Sequence, residues 1–103
     1  MSFSVQRWTR SDLPSAIELR KVLESEGYNV FEWTDSPRTR YESHKHDDDQ
    51  SHWIISGALQ LTVDDKTYTL EAGDRDFLPA HTTHSAFVPG NSPVHYLIAA
   101  KRG

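Results

Sequence analysis

Apolar and polar residues alternate with a period of two through most of this chain, and one early stretch breaks to helical spacing. Between residues 13 and 26 the apolar positions are Leu13, Ala16, Ile17, Leu19, Val22 and Leu23, which fall on one broad stripe when the chain turns every 3.6 residues. Asp12, Pro14 and the pair Ser15-x-x-Glu18 supply start signals, and Gly27 supplies the stop. The pattern predicts a helix over 13–26 that covers a sheet face or edge.

From Tyr28 the texture changes to short β-type runs at 28–34, 40–46, 51–56, 58–63, 67–70, 75–78, 84–88 and 94–99. Leu59, Leu61 and Val63 alternate with Gln60 and Thr62, and Asp64-Asp65-Lys66 turns the chain back into Thr67-Tyr68-Thr69-Leu70. That is a hairpin signal. Glu71-Ala72-Gly73-Asp74 and Pro89-Gly90-Asn91-Ser92-Pro93 are the next breaks. Short strands at such even spacing predict an antiparallel sandwich or barrel. The reading is one domain over 1–103, with a strand and the helix in 1–27 and a barrel over 28–100.

A chain of 103 residues is the size of one domain and does not need a metal merely to stay folded. It has no cysteine, which excludes disulfides, thiolate zinc sites, iron–sulfur clusters and cysteine nucleophiles. Any metal site must use nitrogen and oxygen. The formal charge of -4 has the wrong sign for a partner bound through phosphate neutralisation, so no nucleic-acid partner is expected. The longest apolar run, Tyr96 to Ala100, falls far short of the roughly 20 residues that cross a bilayer, and the first residues hold no signal-peptide core. A soluble, cytoplasmic protein with no membrane partner is the expectation. No G-x-S-x-G elbow, P-loop or G-x-G-x-x-G occurs.

The unusual feature is six histidines. His44 and His46 stand two apart in a β-type run, so both imidazoles point to one face. Gln50 and Gly57 follow, and His84 closes the segment that begins Gly73-Asp74-Arg75-Asp76-Phe77-Leu78-Pro79. In order and spacing these residues resemble the two motifs of the cupin family. The first, G-x5-H-x-H-x3,4-E-x6-G, falls on 38–57, and the second, G-x5-P-x-G-x2-H-x3-N, on 73–88. The resemblance implies an all-β, cupin-type jelly-roll β-barrel and a homodimer formed through sheet surfaces. It also implies a divalent transition metal held by His44, His46, Gln50 and His84. Nitrogen and oxygen donors suit Fe, Mn, Ni, Zn or Cu.

Four positions depart from the motifs: Arg38, His81 and Val88 replace a glycine, a glycine and an asparagine, and Gln50 replaces the glutamate. An amide coordinates through its carbonyl oxygen but brings no negative charge. The alternative is a three-histidine site in which that ligand is lost, or one in which His52 takes its place. Strand parity puts Arg40 and Glu42 on the face of His44 and His46, where Glu42 would be a catalytic acid/base or would orient a ligating imidazole. The competing reading is a Glu42–Arg40 pair or simple exposure at a strand end. His81 is expected in a loop near the rim, and His95 as a packing or surface residue. Phe31, Trp33, Trp53, Tyr68, Phe77, Phe87 and Tyr96 read mostly as core or interface residues rather than a ligand-stacking box.

Two functions follow. One is a metal-dependent enzyme on a small, anionic molecule, acting as a dioxygenase, isomerase or lyase. The other is a noncatalytic module that binds a metabolite or the metal itself. No helix-turn-helix supplies a readout, so a sensor of this size needs a partner.

Overall fold

The computed structural model describes residues 2–101, so Met1, Arg102 and Gly103 of the expected domain lie outside the described residues. Nine strands and one helix follow one another as β1 (Ser4–Gln6), α1 (Ala16–Ser25), β2 (Asn29–Asp35), β3 (Arg40–His44), β4 (Asp49–Ser56), β5 (Ala58–Val63), β6 (Lys66–Glu71), β7 (Arg75–Phe77), β8 (His84–Phe87) and β9 (Val94–Lys101). They form two antiparallel sheets, a five-stranded one in the order β1-β7-β4-β9-β2 and a four-stranded one in the order β3-β8-β5-β6. This is a jelly roll; among the described residues its nine strands are all antiparallel and the single helix is laid on its outside.

Period-two alternation sorts the five-stranded sheet into two faces. Register pairs Gln50, His52 and Ile54 of β4 with Ala100, Ile98 and Tyr96 of β9, and pairs Phe31, Trp33 and Asp35 of β2 with Ile98, Tyr96 and Val94. These residues face inward. Ile54, Val94 and Tyr96 meet Leu59, Leu61 and Leu70 of the other sheet in one core. The outward residues Val30, Trp53, Leu97 and Ala99 form a second core with Leu19 and Leu23 of α1.

The helix is shorter than its apolar stripe. Ser15 is the N-cap and its side chain accepts from the Glu18 N–H, so Leu13 lies ahead of the first turn and is 86% exposed. Asp12, the other expected start, is bound to Arg10 instead. Ile17 is exposed as well, leaving Leu19 and Leu23 as the buried anchors.

Turn chemistry holds where it was expected. Asp64 and Asp65 both have positive φ, as a two-residue hairpin turn of type I′ requires. Gly57 has φ +80°, and a Cβ there would stand 2.3 Å from the Pro93 carbonyl oxygen. Arg38 and His81, which replace motif glycines, have φ of 70° and 66°. The backbone keeps the left-handed shape that favours glycine while the residue has changed.

Candidate metal centre

His44 ends β3, His84 opens β8, and the two are register partners across that strand pair. His46 lies beyond β3 in the loop that leads to β4, rather than inside a strand running to residue 46. That loop is tied down, because the His81 N–H donates to the His46 carbonyl oxygen at 2.7 Å. The ligand atoms of His44, His46 and His84 all lie within 4.8 Å of one another, and His52 is not in that group.

Hydrogen bonding sets the tautomers. His44 Nδ1 is 2.7 Å from the Glu42 carbonyl oxygen, and His84 Nδ1 is 2.9 Å from the Thr82 carbonyl oxygen. A carbonyl only accepts, so both Nδ1 atoms carry the proton and each neutral ring keeps its lone pair on Nε2. His46 Nε2 is 3.1 Å from His44 Nε2, and since the His44 atom is an acceptor, His46 is the donor. Burial, and then the neighbouring His44, lower the pKa of His46; burial also lowers that of His84, against the opposing Thr82 carbonyl. Both rings therefore take up a proton less readily than an ordinary histidine.

This donor set fits a divalent transition metal. Imidazoles held at Nδ1 by an acceptor and offering Nε2 are the usual arrangement of ligating histidines. Two nitrogens each about 2.1 Å from one ion are about 3.0–3.4 Å apart, which matches the 3.1 Å between His44 and His46.

Gln50 lines the same cavity, its Nε2 donating to Asp48 Oδ1 at 3.2 Å. Its backbone is pinned by reciprocal bonds with Leu78, both of 2.8 Å. His52 also lines the cavity, but its Nδ1 is bound to the fully buried Asp76 at 2.9 Å and its backbone N–H donates to the same carboxylate at 2.6 Å. Burial pulls the pKa of His52 down, yet the charge and hydrogen bond of Asp76 outweigh it, and the net shift is upward.

Glu42 takes the reading of simple exposure at a strand end. Its side chain is exposed and does not line the cavity. Between the pairs Tyr41↔Ala86 and His44↔His84, β3 advances three residues while β8 advances two. That bulge reverses the parity, so Tyr41 and His44 share the inner face while Arg40 and Glu42 do not. Arg40 instead lies over the Phe87 ring at 4.6 Å. His81 is an exposed loop residue 3.7 Å from Asp47, and His95 pairs with Glu32 on the outer face at 2.7 Å.

Among the aromatic residues, Trp53 and Tyr96 are buried in the two cores and Tyr68 packs against one of them, as expected. Phe31 and Trp33 depart from that reading and line the cavity, together with Tyr41 and the inner edge of Tyr96. The signal was available in β2, where Phe31, Trp33 and Asp35 share one parity and oppose Val30, Glu32 and Thr34. The cavity holds about 560 Å³, the size of a small-molecule site.

The cupin domain family model matches residues 31–99, and this chain belongs to that family. Among curated proteins it is similar to the alginate biosynthesis protein AlgA of Pseudomonas aeruginosa, at 31% identity over 71 residues that cover 68% of this chain. The match spans only 15% of that protein's length. Among solved structures, the conserved SPY1581 protein of unknown function from Streptococcus pyogenes shares the fold with a TM-score of 0.66 and 14% identity, over 99% of this chain and 75% of that one. A DMSP lyase from the pair RdDddP and RnDddQII shares it with a TM-score of 0.63 and 23% identity, over 74% of this chain and 38% of that one. No helix among the described residues is long and apolar enough to cross a membrane.

Proposed function

We propose that the protein holds one divalent transition metal through His44, His46 and His84, with Gln50 Oε1 as the fourth ligand, and acts on a small molecule bound at that ion. The observation that carries this reading is the convergence of three imidazoles whose ligand atoms lie within 4.8 Å, two of them locked with Nε2 free. When bound, the metal supplies a Lewis acid with positions open to an oxygen-bearing ligand.

The chain's own residues do the rest. The backbone carbonyls of Glu42 and Thr82 fix two imidazoles before any ligand arrives. Asp76 takes the Nδ1 of His52, so what His52 offers to the cavity is its Nε2 edge, a hydrogen-bonding group beside the ligand. Leu59, Leu61 and Ile98 add apolar lining to the same cavity. A structural neighbour that is a lyase supports small-molecule chemistry on this fold, but the reaction belongs to the site rather than the fold.

Elemental analysis of untagged protein tests the reading. One equivalent of a first-row metal per chain is expected, and protein that neither carries nor takes up such a metal would contradict it. Turnover in a screen of metal-loaded protein against diketones, enediols, phenolics and uronic acids separates an enzyme from a module that only binds. We also propose a homodimer, which light scattering checks; a strict monomer at high micromolar concentration removes it.

A further inference from the structure

Beyond the histidines, the cavity is walled by aromatic residues whose polar atoms are all turned to one buried acid. Asp35 is 7% exposed and accepts from Trp33 Nε1 at 3.0 Å, Tyr41 Oη at 2.7 Å and Tyr96 Oη at 2.7 Å. These donors come from β2, β3 and β9, so one carboxylate joins the free edges of both sheets. Burial first, and then the Asp35 bond, raise the pKa of both tyrosines, which stay protonated donors.

The consequence is chemical. With its N–H and O–H groups committed to Asp35, this wall presents carbon to the cavity. Two charged side chains other than histidine line the cavity among the described residues, and both are engaged. Arg20 donates to the Val30 carbonyl oxygen at 2.9 Å and lies 3.6 Å from Glu24, and Glu32 is paired with His95 on the outer face of β2. A sugar or phosphate ester would lose its water there and find no partners in exchange. Oxygen-binding capacity is concentrated at the histidine end.

We infer that the ligand is an amphiphilic chelator: an oxygen-rich head at the metal, and an apolar, ring-sized body against Trp33, Phe31 and Tyr41. This rests on the metal reading above and narrows it to molecules such as aryl diketones and phenolics, setting aside uronic acids and phosphorylated sugars. Asp35 preorganises the wall, so the body meets a surface already in place.

Two probes with one head and different bodies test this. Acetohydroxamate and benzohydroxamate carry the same chelating group, on a methyl and on a phenyl. Calorimetry on the zinc-loaded full chain is expected to show benzohydroxamate binding about tenfold or more tightly than acetohydroxamate, with glucuronate weaker than both. Trp33→Ala should shrink that ratio toward one while leaving acetohydroxamate affinity unchanged. Trp33 is 50% exposed, so its truncation opens no core cavity, and Phe31→Ala supplies a second, independent loss.

Metal-dependent binding of both hydroxamates with equal affinity would overturn the inference and leave the metal site standing. Hydroxamate binding that ignores the metal, or that fails altogether in zinc-loaded protein, would overturn the metal reading itself. If Trp33→Ala changes the molecular mass in light scattering while the ratio stays at its original value, the wall is covered by a second copy and the inference is wrong.

Discussion

Two groups of histidine face the same cavity and are built on opposite principles. In the cluster of His44, His46 and His84 the rings are held by neutral backbone carbonyls or by one another, no carboxylate touches them, and the resolved pKa shifts, at His46 and His84, are downward. His52, on the neighbouring sheet, is fully engaged by the buried carboxylate of Asp76 and its shift is upward. A carbonyl fixes the tautomer and leaves a neutral donor ready for a metal, whereas a buried carboxylate stabilises the charged ring. The partner at Nδ1 therefore separates His44 and His84 from His52, and proximity to the cavity does not.

The largest expected effect separates the two groups by metal retention. The double substitution His44→Ala, His46→Ala should weaken zinc binding by about 100-fold or more in chelator competition, with a β-rich circular dichroism spectrum intact, because neither histidine belongs to either apolar core. Asp76→Ala should do the reverse. It strands the His52 N–H and ring in a buried place, costing about 3 kcal/mol in urea unfolding, while zinc affinity changes by less than about threefold. Loss of metal in Asp76→Ala would merge the two groups.

Acid titration of the metal-free protein sharpens the contrast by sign. His46 and His84 have folded pKa values below the ordinary 6.5, so the unfolded chain takes their protons first. Their contribution falls as pH drops from 6.5 toward the folded values and is at its best above 6.5. His52 has a folded value above 6.5; its contribution is full below 6.5 and is lost as pH rises through the folded value. Asp76→Asn should leave stability that falls with acid below pH 6.5, and His46→Ala, His84→Ala should leave stability that falls with base above it. Each slope is bounded by about 1.4 kcal/mol per pH unit per group.

A smaller effect concerns the charge at the cluster. Gln50→Glu adds a negative charge, and should hold zinc at least as tightly while weakening the binding of a simple carboxylate by about tenfold in calorimetry. Unchanged carboxylate binding would remove Gln50 from the site's electrostatics. Smallest is His81→Gly, which relaxes a left-handed backbone and should raise the unfolding free energy by about 0.5 kcal/mol.

Much of the fold and part of the site were legible in the chain. Hairpin turns at Asp64-Asp65, the stop at Gly27 and the bend at Gly57 are local chemistry, and local chemistry is written in residue types. Convergence of His44 and His46 was visible in the spacing and that of His84 in the resemblance to the cupin motifs, although His46 reaches the cluster from a loop and not a strand. Strand parity alone could not place Glu42, because a bulge adds one residue without any glycine or proline to mark it, and one residue turns a side chain to the other face. The parity of Phe31, Trp33 and Asp35 in β2 was legible, but the joining of the aromatic wall at one acid was not. Trp33, Tyr41 and Tyr96 are brought to Asp35 from three strands, and side-chain bonds between distant strands leave no periodic trace.

The most direct measurement is the imidazole nitrogen spectrum of the protein as one equivalent of zinc is added. Before zinc, His44 and His84 should be protonated at Nδ1 and His46 at Nε2, the tautomers that their hydrogen bonds dictate. At one equivalent, the Nε2 signals of His44, His46 and His84 should move together and saturate, His46 should change to the tautomer protonated at Nδ1, and His52 should keep its bond to Asp76. Signals that drift without saturating, or a zinc-dependent shift of His52 with the three others unmoved, would contradict the assignment of the metal to His44, His46 and His84.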